Sequence, residues 1–386
     1  MNQKKASIAV FFIVATELIG FGLIIPVLPQ ISASFATSGV WLGVLLSAYS
    51  FAQFFSAPIL GQLSDRYGRK PLLILSKIGT IASYLILAQA NSYALLLISR
   101  LIDGFTGGNI AVARAFLSDI TAPEKRSRAM AIIGVAFGTG FIFGPAIGAY
   151  CYQWSNNFSV AGYIGALLSL GSLFLTLFLI REPNAKNETR HVGISRNVFK
   201  LPMPVRYLLL ISFVSMCLFS GFESSFSVFT ENKFQFNESQ NSMLFLVIGI
   251  CAFFVQGSFT KIAIKPIQKA IRLALFCMGL GLLLTNIIQG VILSLAVLVF
   301  LIFGVAILNT HIPAELSAIS NDKGYMMGLY ESSSSLARIV GPLIIFSTLF
   351  NHINTIYLNL SIIAFGCLLF SMFFAKQLFK IDSTVN

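Results

Sequence analysis

Charge is what this chain of 386 residues has least of: Asp, Glu, Lys and Arg together make up 10% of it, against about 25% in soluble globular domains. So few charges cannot cover a water-exposed surface, which excludes a soluble globular fold. Histidine is scarcer still, with three residues, His191, His311 and His352, far apart in the chain. No phosphate-binding loop, metal-ligand spacing or nucleophile elbow occurs. Enzymatic chemistry therefore has no visible home, and no cofactor is expected. The five cysteines (Cys151, Cys217, Cys251, Cys277, Cys367) show no paired spacing, which argues against a disulfide framework or a zinc site and for packing as small hydrophobes.

What remains is 56% hydrophobic. Apolar runs of roughly 20 residues, enough to cross about 30 Å of hydrocarbon at 1.5 Å per residue, recur from end to end. Twelve are expected: 8–29, 40–63, 71–90, 93–117, 129–150, 160–180, 207–229, 241–264, 267–288, 291–309, 325–350 and 355–375. All should be helices, because lipid leaves no partner for unpaired backbone groups and the runs lack strand alternation. The first run follows MNQKK in the manner of a signal peptide. It contains Glu17, however, and ends in LPQ without a small-residue cleavage site, so it reads as a retained span.

The net charge of +12 raises the question of nucleic acid. Its distribution answers it: counted through alternate loops, Lys4, Lys5, Arg66, Arg69, Lys70, Lys125, Arg126, Arg128 and nearly every later loop cation fall on one side, and only Lys233 on the other. This is the positive-inside pattern, which places both termini in the cytoplasm and the chain in the cell (inner) membrane. Nucleic-acid binding would need the same charges gathered on one face.

The stretch REPNAKNETRHVGISRNVFKLPMPVR differs from everything around it in being polar and proline-interrupted. It divides the chain into an N-terminal bundle, 1–182, a cytoplasmic linker, 183–206, and a C-terminal bundle, 207–386. An internal repeat supports the division. Gly144-Pro145 recurs as Gly341-Pro342 (341 − 144 = 197), and Gly61 in GQLSDRYGRKP corresponds to Gly257 in GSFTKIAIKP (257 − 61 = 196). Two parallel halves of this kind enclose a site near the midplane and open it alternately to each side.

The loop between the second and third spans carries Gly61, Leu63, Ser64, Asp65, Arg66, Gly68, Arg69 and Lys70. It resembles the signature loop of the major facilitator superfamily at every signature position. The resemblance implies an all-α fold of two six-helix bundles related by pseudo-two-fold symmetry, and a gating role for the loop. Gly61 permits close helix approach and Gly68 a tight turn. Asp65 is expected to meet the positive end of a neighbouring helix, the eleventh span being the best candidate, and Arg69 a carboxylate such as Asp119. The fifth span, with Gly134, Gly138, Gly140, Gly144, Pro145 and Gly148, looks like the antiporter motif of the drug:proton exchange branch, departing from it at Ala149.

Charges inside the spans are the candidate machinery. Arg100, Gly104 and Gly108 match the branch's fourth-span pattern, whose arginine is implicated in proton coupling. Asp103 stands where glutamine is usual and is expected to pair with Arg100, with Gly107 and Arg114 on the same stripe. Glu17, in TELIGFGLIIP, resembles the acid of tetracycline and multidrug efflux proteins. As a lone carboxylate in a dry site it would suit a proton carrier. Glu331 and Arg338, seven residues apart, share a face of the eleventh span, and Glu223 lies in the seventh. His311 and Glu315 close the tenth span and read as structural.

The resemblance implies export of a drug-like or tetracycline-like molecule in exchange for protons by a monomer in the lipid bilayer. Arg100, Arg114 and Arg338 also fit an anionic metabolite, such as a carboxylate siderophore, unless the acids neutralise them. A non-transporting membrane sensor of the same fold is the remaining alternative.

Overall fold

In the computed structural model, residues 3–24, 39–155, 158–183, 200–236, 238–346 and 355–378 are described. They form thirteen α-helices: α1 (Gln3–Ile24), α2 (Gly39–Tyr67), α3 (Arg69–Ala88), α4 (Tyr93–Thr106), α5 (Asn109–Ile120), α6 (Arg126–Ser155), α7 (Ser159–Leu179), α8 (Met203–Phe234), α9 (Glu238–Ser258), α10 (Ile267–Ile287), α11 (Val291–Ile319), α12 (Lys323–Ile344) and α13 (Ile356–Leu378). Each expected span coincides with a helix. The ends at 25–29 and 347–350, and residues 184–199 of the expected linker, lie outside the described residues.

Two expectations need correction. The tenth span does not end at residue 309: α11 runs on to Ile319, so His311 and Glu315 sit inside a helix. The His311 imidazole turns back to accept the Ile264 N–H at 2.9 Å. The fourth span is also two helices, because Gly107 and Gly108 interrupt it. The Gly107 carbonyl accepts from the side-chain amide of Gln53 at 2.9 Å. The stripe expected to carry Arg114 alongside Arg100 and Asp103 is broken there.

Ten stretches among the described residues are long and apolar enough to cross a membrane, with α4 and α5 counting together. The exceptions are α9, whose apolar part is only Met243–Ser258, and α12, with Glu331, Arg338 and a run of serines. A physical reason covers α12. It is packed by α2, α5, α8 and α11, and most of its side chains are buried in protein, so little of it has to be soluble in lipid. Elsewhere large apolar side chains such as Phe51, Phe55, Phe178 and Phe373 face outward, as a bilayer requires.

The repeat is visible in the packing. In the first half α1 lies against α6, and in the second α8 lies against α12. A Cβ on Gly144 would collide with Gly22 of α1, and one on Gly341 with Cys217 and Gly221 of α8. The halves meet along two seams that the repeat exchanges, α2 with α12 and α9 with α6. They differ at the glycines that the repeat makes equivalent. At Gly61 a Cβ would overlap the Gly324 carbonyl of α12, whereas at the equivalent Gly257 nothing lies within 4 Å. The apolar core of the second half also extends into the first through Ala111, Ala115, Met130 and Ala131.

Gly61→Ala should therefore lower the melting temperature of the detergent-purified protein by several degrees. Gly257→Ala, in a helix with open space, should leave it unchanged or raise it, since alanine is favoured there by about 0.5–1 kcal/mol. Equal effects at the two positions would show that the two glycines are equally confined.

Candidate functional site

Three clusters of buried charge lie along the interior. The first closes one end of the molecule. The α2–α3 turn places Gly68 at φ 99°, a backbone conformation open to glycine and costly for other residues, and this reversal brings Asp65 and Arg69 side by side. The Asp65 carboxylate accepts the N–H groups of Gly324 (2.9 Å) and Tyr325 (2.8 Å), the unpaired donors at the positive start of α12. Arg69, 2% exposed, contacts Asp65 at 2.7 Å and Asp119 of α5 at 2.8 Å. Lys323 of α12 reaches Asp119 at 3.1 Å. Asp65, Arg69 and Asp119 thus meet the partners expected of them. Arg66 is the exception, exposed with its guanidinium over the Tyr67 ring at 5.3 Å.

The second cluster fills the first half. Here the expectation of a lone carboxylate at Glu17 is wrong. Lys77, from the middle of α3, contacts Glu17 at 2.5 Å and also donates to the Ile13 carbonyl at 3.1 Å. Asn109 donates to the same carboxylate at 3.0 Å and Thr80 at 3.5 Å. The physical reason is reach: an apolar helix cannot expose an ammonium to lipid, so the lysine stem runs inward to the nearest acid. Asp103 and Arg100 pair at 3.1 Å, with Arg100 over the Tyr84 ring at 5.6 Å. Neither Asp103 oxygen has a hydrogen-bond partner, so this acid is held far less tightly than Glu17.

The third cluster straddles the seam. Glu331 of α12, 1% exposed, lies between Arg114 of α5 at 3.6 Å and Arg338 of its own helix at 3.3 Å. Arg338 also donates to the side-chain carbonyl of Gln53 at 2.6 Å, Ser335 donates to the same oxygen at 2.8 Å, and Ser332 donates to the Phe54 carbonyl at 2.8 Å. Tyr330 lies under the Arg114 guanidinium at 5.0 Å. Glu223, half-buried on α8, pairs with none of these groups.

Gly140, Gly144 and Gly148, with Pro145, face α1 rather than an open cavity. Their geometry is that of a helix contact. Gly134 and Gly138, on another side of α6, meet Gln256 and Phe253 of α9.

Four functional groups escaped the sequence reading: Lys77, Asn109, Gln53 and Glu182. Lys77 had a signal, a lone cation in the middle of LLILSKIGTIASYLILA. Glu182 caps α3, accepting the N–H groups of Arg69 (2.7 Å) and Lys70 (2.9 Å) from 112 or more residues away, which no local pattern could announce.

Comparison with known proteins places this geometry. The family model described as Major Facilitator Superfamily matches residues 10–342. The chain is 32% identical to the tetracycline resistance protein, class B, of Escherichia coli over 87% of its own length and 86% of that protein's. It is 29% identical to major facilitator superfamily domain-containing protein 10 of Homo sapiens over 89% and 87%. Multidrug resistance protein 2 of Bacillus subtilis (strain 168) is 28% identical over 88% of each chain. Among solved structures, the crystal structure of the human organic anion transporter MFSD10 (TETRAN) superposes with a TM-score of 0.84 at 25% identity, covering 95% of this chain and 100% of that one.

Removing one member of a buried ion pair strands the other at a cost of about 3–5 kcal/mol. Lys77→Met should therefore sharply reduce the yield of monodisperse protein on size exclusion, and the double variant Lys77→Met with Glu17→Gln should recover much of it. A double variant as poor as the single one would mean the pair is not what Lys77 contributes.

Proposed function

Because this chain belongs to the major facilitator superfamily, whose members are transporters and not enzymes, we propose that it is a secondary active exporter working by alternating access. It carries a drug-like or tetracycline-like molecule outward in exchange for protons. The observation that carries the reading is the arrangement of polar contacts between the halves. Those described above run from Asp65 up to Gln53 on α2 and from Lys323 to Arg338 on α12. Their charged partners are ones that water can replace, so the set can separate at one end as the halves rock.

The latched end faces the cytoplasm together with both termini, since the loop cations gather there, and the protein acts as a monomer in the cell's inner membrane. Asp103 takes the role of proton carrier in preference to Glu17. Protonating Glu17 forfeits an ammonium at 2.5 Å and an amide donor at 3.0 Å. Protonating Asp103 forfeits one contact at 3.1 Å. Arg100 then senses whether Asp103 is ionised. Each proton entering contributes about 2.3 kcal/mol per 100 mV, enough for roughly a fiftyfold gradient of a neutral cargo.

A drug-like cargo has the support of the tetracycline and multidrug resistance relatives. A second reading, an anionic cargo, is favoured by Arg114 and Arg338 sharing a single carboxylate and by the organic anion transporter of the same fold.

In proteoliposomes with an imposed pH gradient, wild type should accumulate tetracycline or another tested cargo. Asp103→Asn should abolish the gradient-driven component while cargo exchange without a gradient persists. Gradient-driven accumulation by Asp103→Asn equal to wild type would remove Asp103 from the proton path. Failure of wild type to move any cargo would favour a sensor.

A further inference from the structure

The three clusters can be compared by charge. The end latch holds Arg69 and Lys323 against Asp65 and Asp119, 2 − 2 = 0. The first-half cluster holds Lys77 and Arg100 against Glu17 and Asp103, 2 − 2 = 0. At the seam Arg114 and Arg338 have one acid in contact, Glu331, while Glu223 of α8 faces Arg338 without forming an ion pair. A buried charge without a close partner is costly, so the seam, where two arginines have a single acid in contact, is the cluster with room for a further anion.

Geometry points the same way. Ion pairs of guanidinium and carboxylate are strong at about 2.7–2.9 Å, and Arg69 achieves 2.7 and 2.8 Å with its two acids. Glu331, pulled between two arginines, achieves only 3.3 and 3.6 Å. Nη1 of Arg114 and Nε of Arg338 are buried without a hydrogen-bond partner, while Nε of Arg114 and Oε2 of Glu331 have only each other, at 3.6 Å. Arg114 is 3% exposed. The position suits a cargo site as well. Arg114 belongs to the first half and Arg338 to the second, and Arg338 lies fifteen residues into α12, about 22 Å from the latched end. A ligand bridging the two arginines would feel every change in the relation of the halves.

We propose that Arg114 and Arg338 form the anion-binding fork of the cargo site, which takes an organic monoanion, a carboxylate or sulfonate, through the guanidinium N–H groups left free by Glu331. Glu331 is the resident acid that keeps the fork ordered when it is empty and competes with the cargo for it. Tyr330, beneath Arg114, supplies an aromatic face for the body of the cargo. The groups facing the fork from the packed helices are Tyr49 and Gln53 of α2, Glu223 of α8 and Asn309 of α11, which accepts from Tyr330 at 2.9 Å. Glu223 is the one acid among them, and it forms no ion pair with either arginine. This inference rests on the transport reading and develops the second of its two cargo classes, the anion.

The test is binding to the purified full chain in detergent, by calorimetry, of 1-naphthoate and its neutral isostere 1-naphthamide. Naphthoate should bind at least about tenfold more tightly, the weight of one charge-assisted hydrogen bond. Arg114→Gln and Arg338→Gln should each reduce naphthoate to the level of the amide. Glu331→Gln, which removes the competitor and keeps the shape, should instead tighten naphthoate several-fold and leave naphthamide unchanged. Should an arginine variant fail to fold, the Glu331→Gln shift still decides. Naphthamide binding as tightly as naphthoate, a preference that survives both arginine variants, or a Glu331→Gln variant that weakens naphthoate would each overturn the assignment. Naphthoate efflux from proteoliposomes separates the two readings: binding as described with no efflux in any gradient would sink the transporter and leave the fork standing, while gradient-driven efflux of naphthamide with no preference for naphthoate would do the reverse.

Discussion

A charge buried in a helical bundle surrounded by lipid has no water to solvate it, and compensation by a neighbour within a few ångströms is the condition of its being there. The interior of this transporter is organised by that condition. Lys77 reaches across from α3 to Glu17, Arg100 pairs within its own helix with Asp103, and Arg69 is held by two acids from different helices. Helix packing follows the pairs. The glycines at α2–α12 and α1–α6 permit approaches close enough for short side chains to meet across them.

The clusters differ in how firmly they are closed, and the difference separates their roles. Asp65 satisfies the first N–H groups of α12 while also holding Arg69, so the latch joins a helix end, a loop and both halves in one set of contacts. All of its groups are strongly hydrated when free. The Glu17–Lys77 pair, with Asn109 and Thr80 around it, is closed on every side and belongs wholly to one half. Asp103 and the Arg114–Glu331–Arg338 group are the loosely held ones. Their contacts are long or few, and loosely held charges are the ones whose state a proton or an anion can change at small cost.

The two halves repeat each other in backbone and not in chemistry. Gly144 against Gly22 matches Gly341 against Gly221, while the loop that begins at Gly257 keeps the glycine without the close contact or the acid. Among the described residues, charged contacts of this kind join the halves at the α2–α12 seam and have no counterpart around Gly257.

Much of this was legible in the chain itself. Helix positions rest on local hydropathy, the two halves on a repeat of fixed offset, the Arg100–Asp103 pair on spacing along one helix, and the family, with the partners expected for Asp65 and Arg69, on the resemblance carried by the GQLSDRYGRK loop. Other features were not. Glu17 reads as solitary until α3 brings Lys77 to it from 60 residues away, and Arg114 reads as a neighbour of Arg100 until α12 brings Glu331 to it from 217 residues away (331 − 114). Which charge compensates which is settled only when the helices pack, because electrostatic energy depends on distance through space and the chain records only distance along itself.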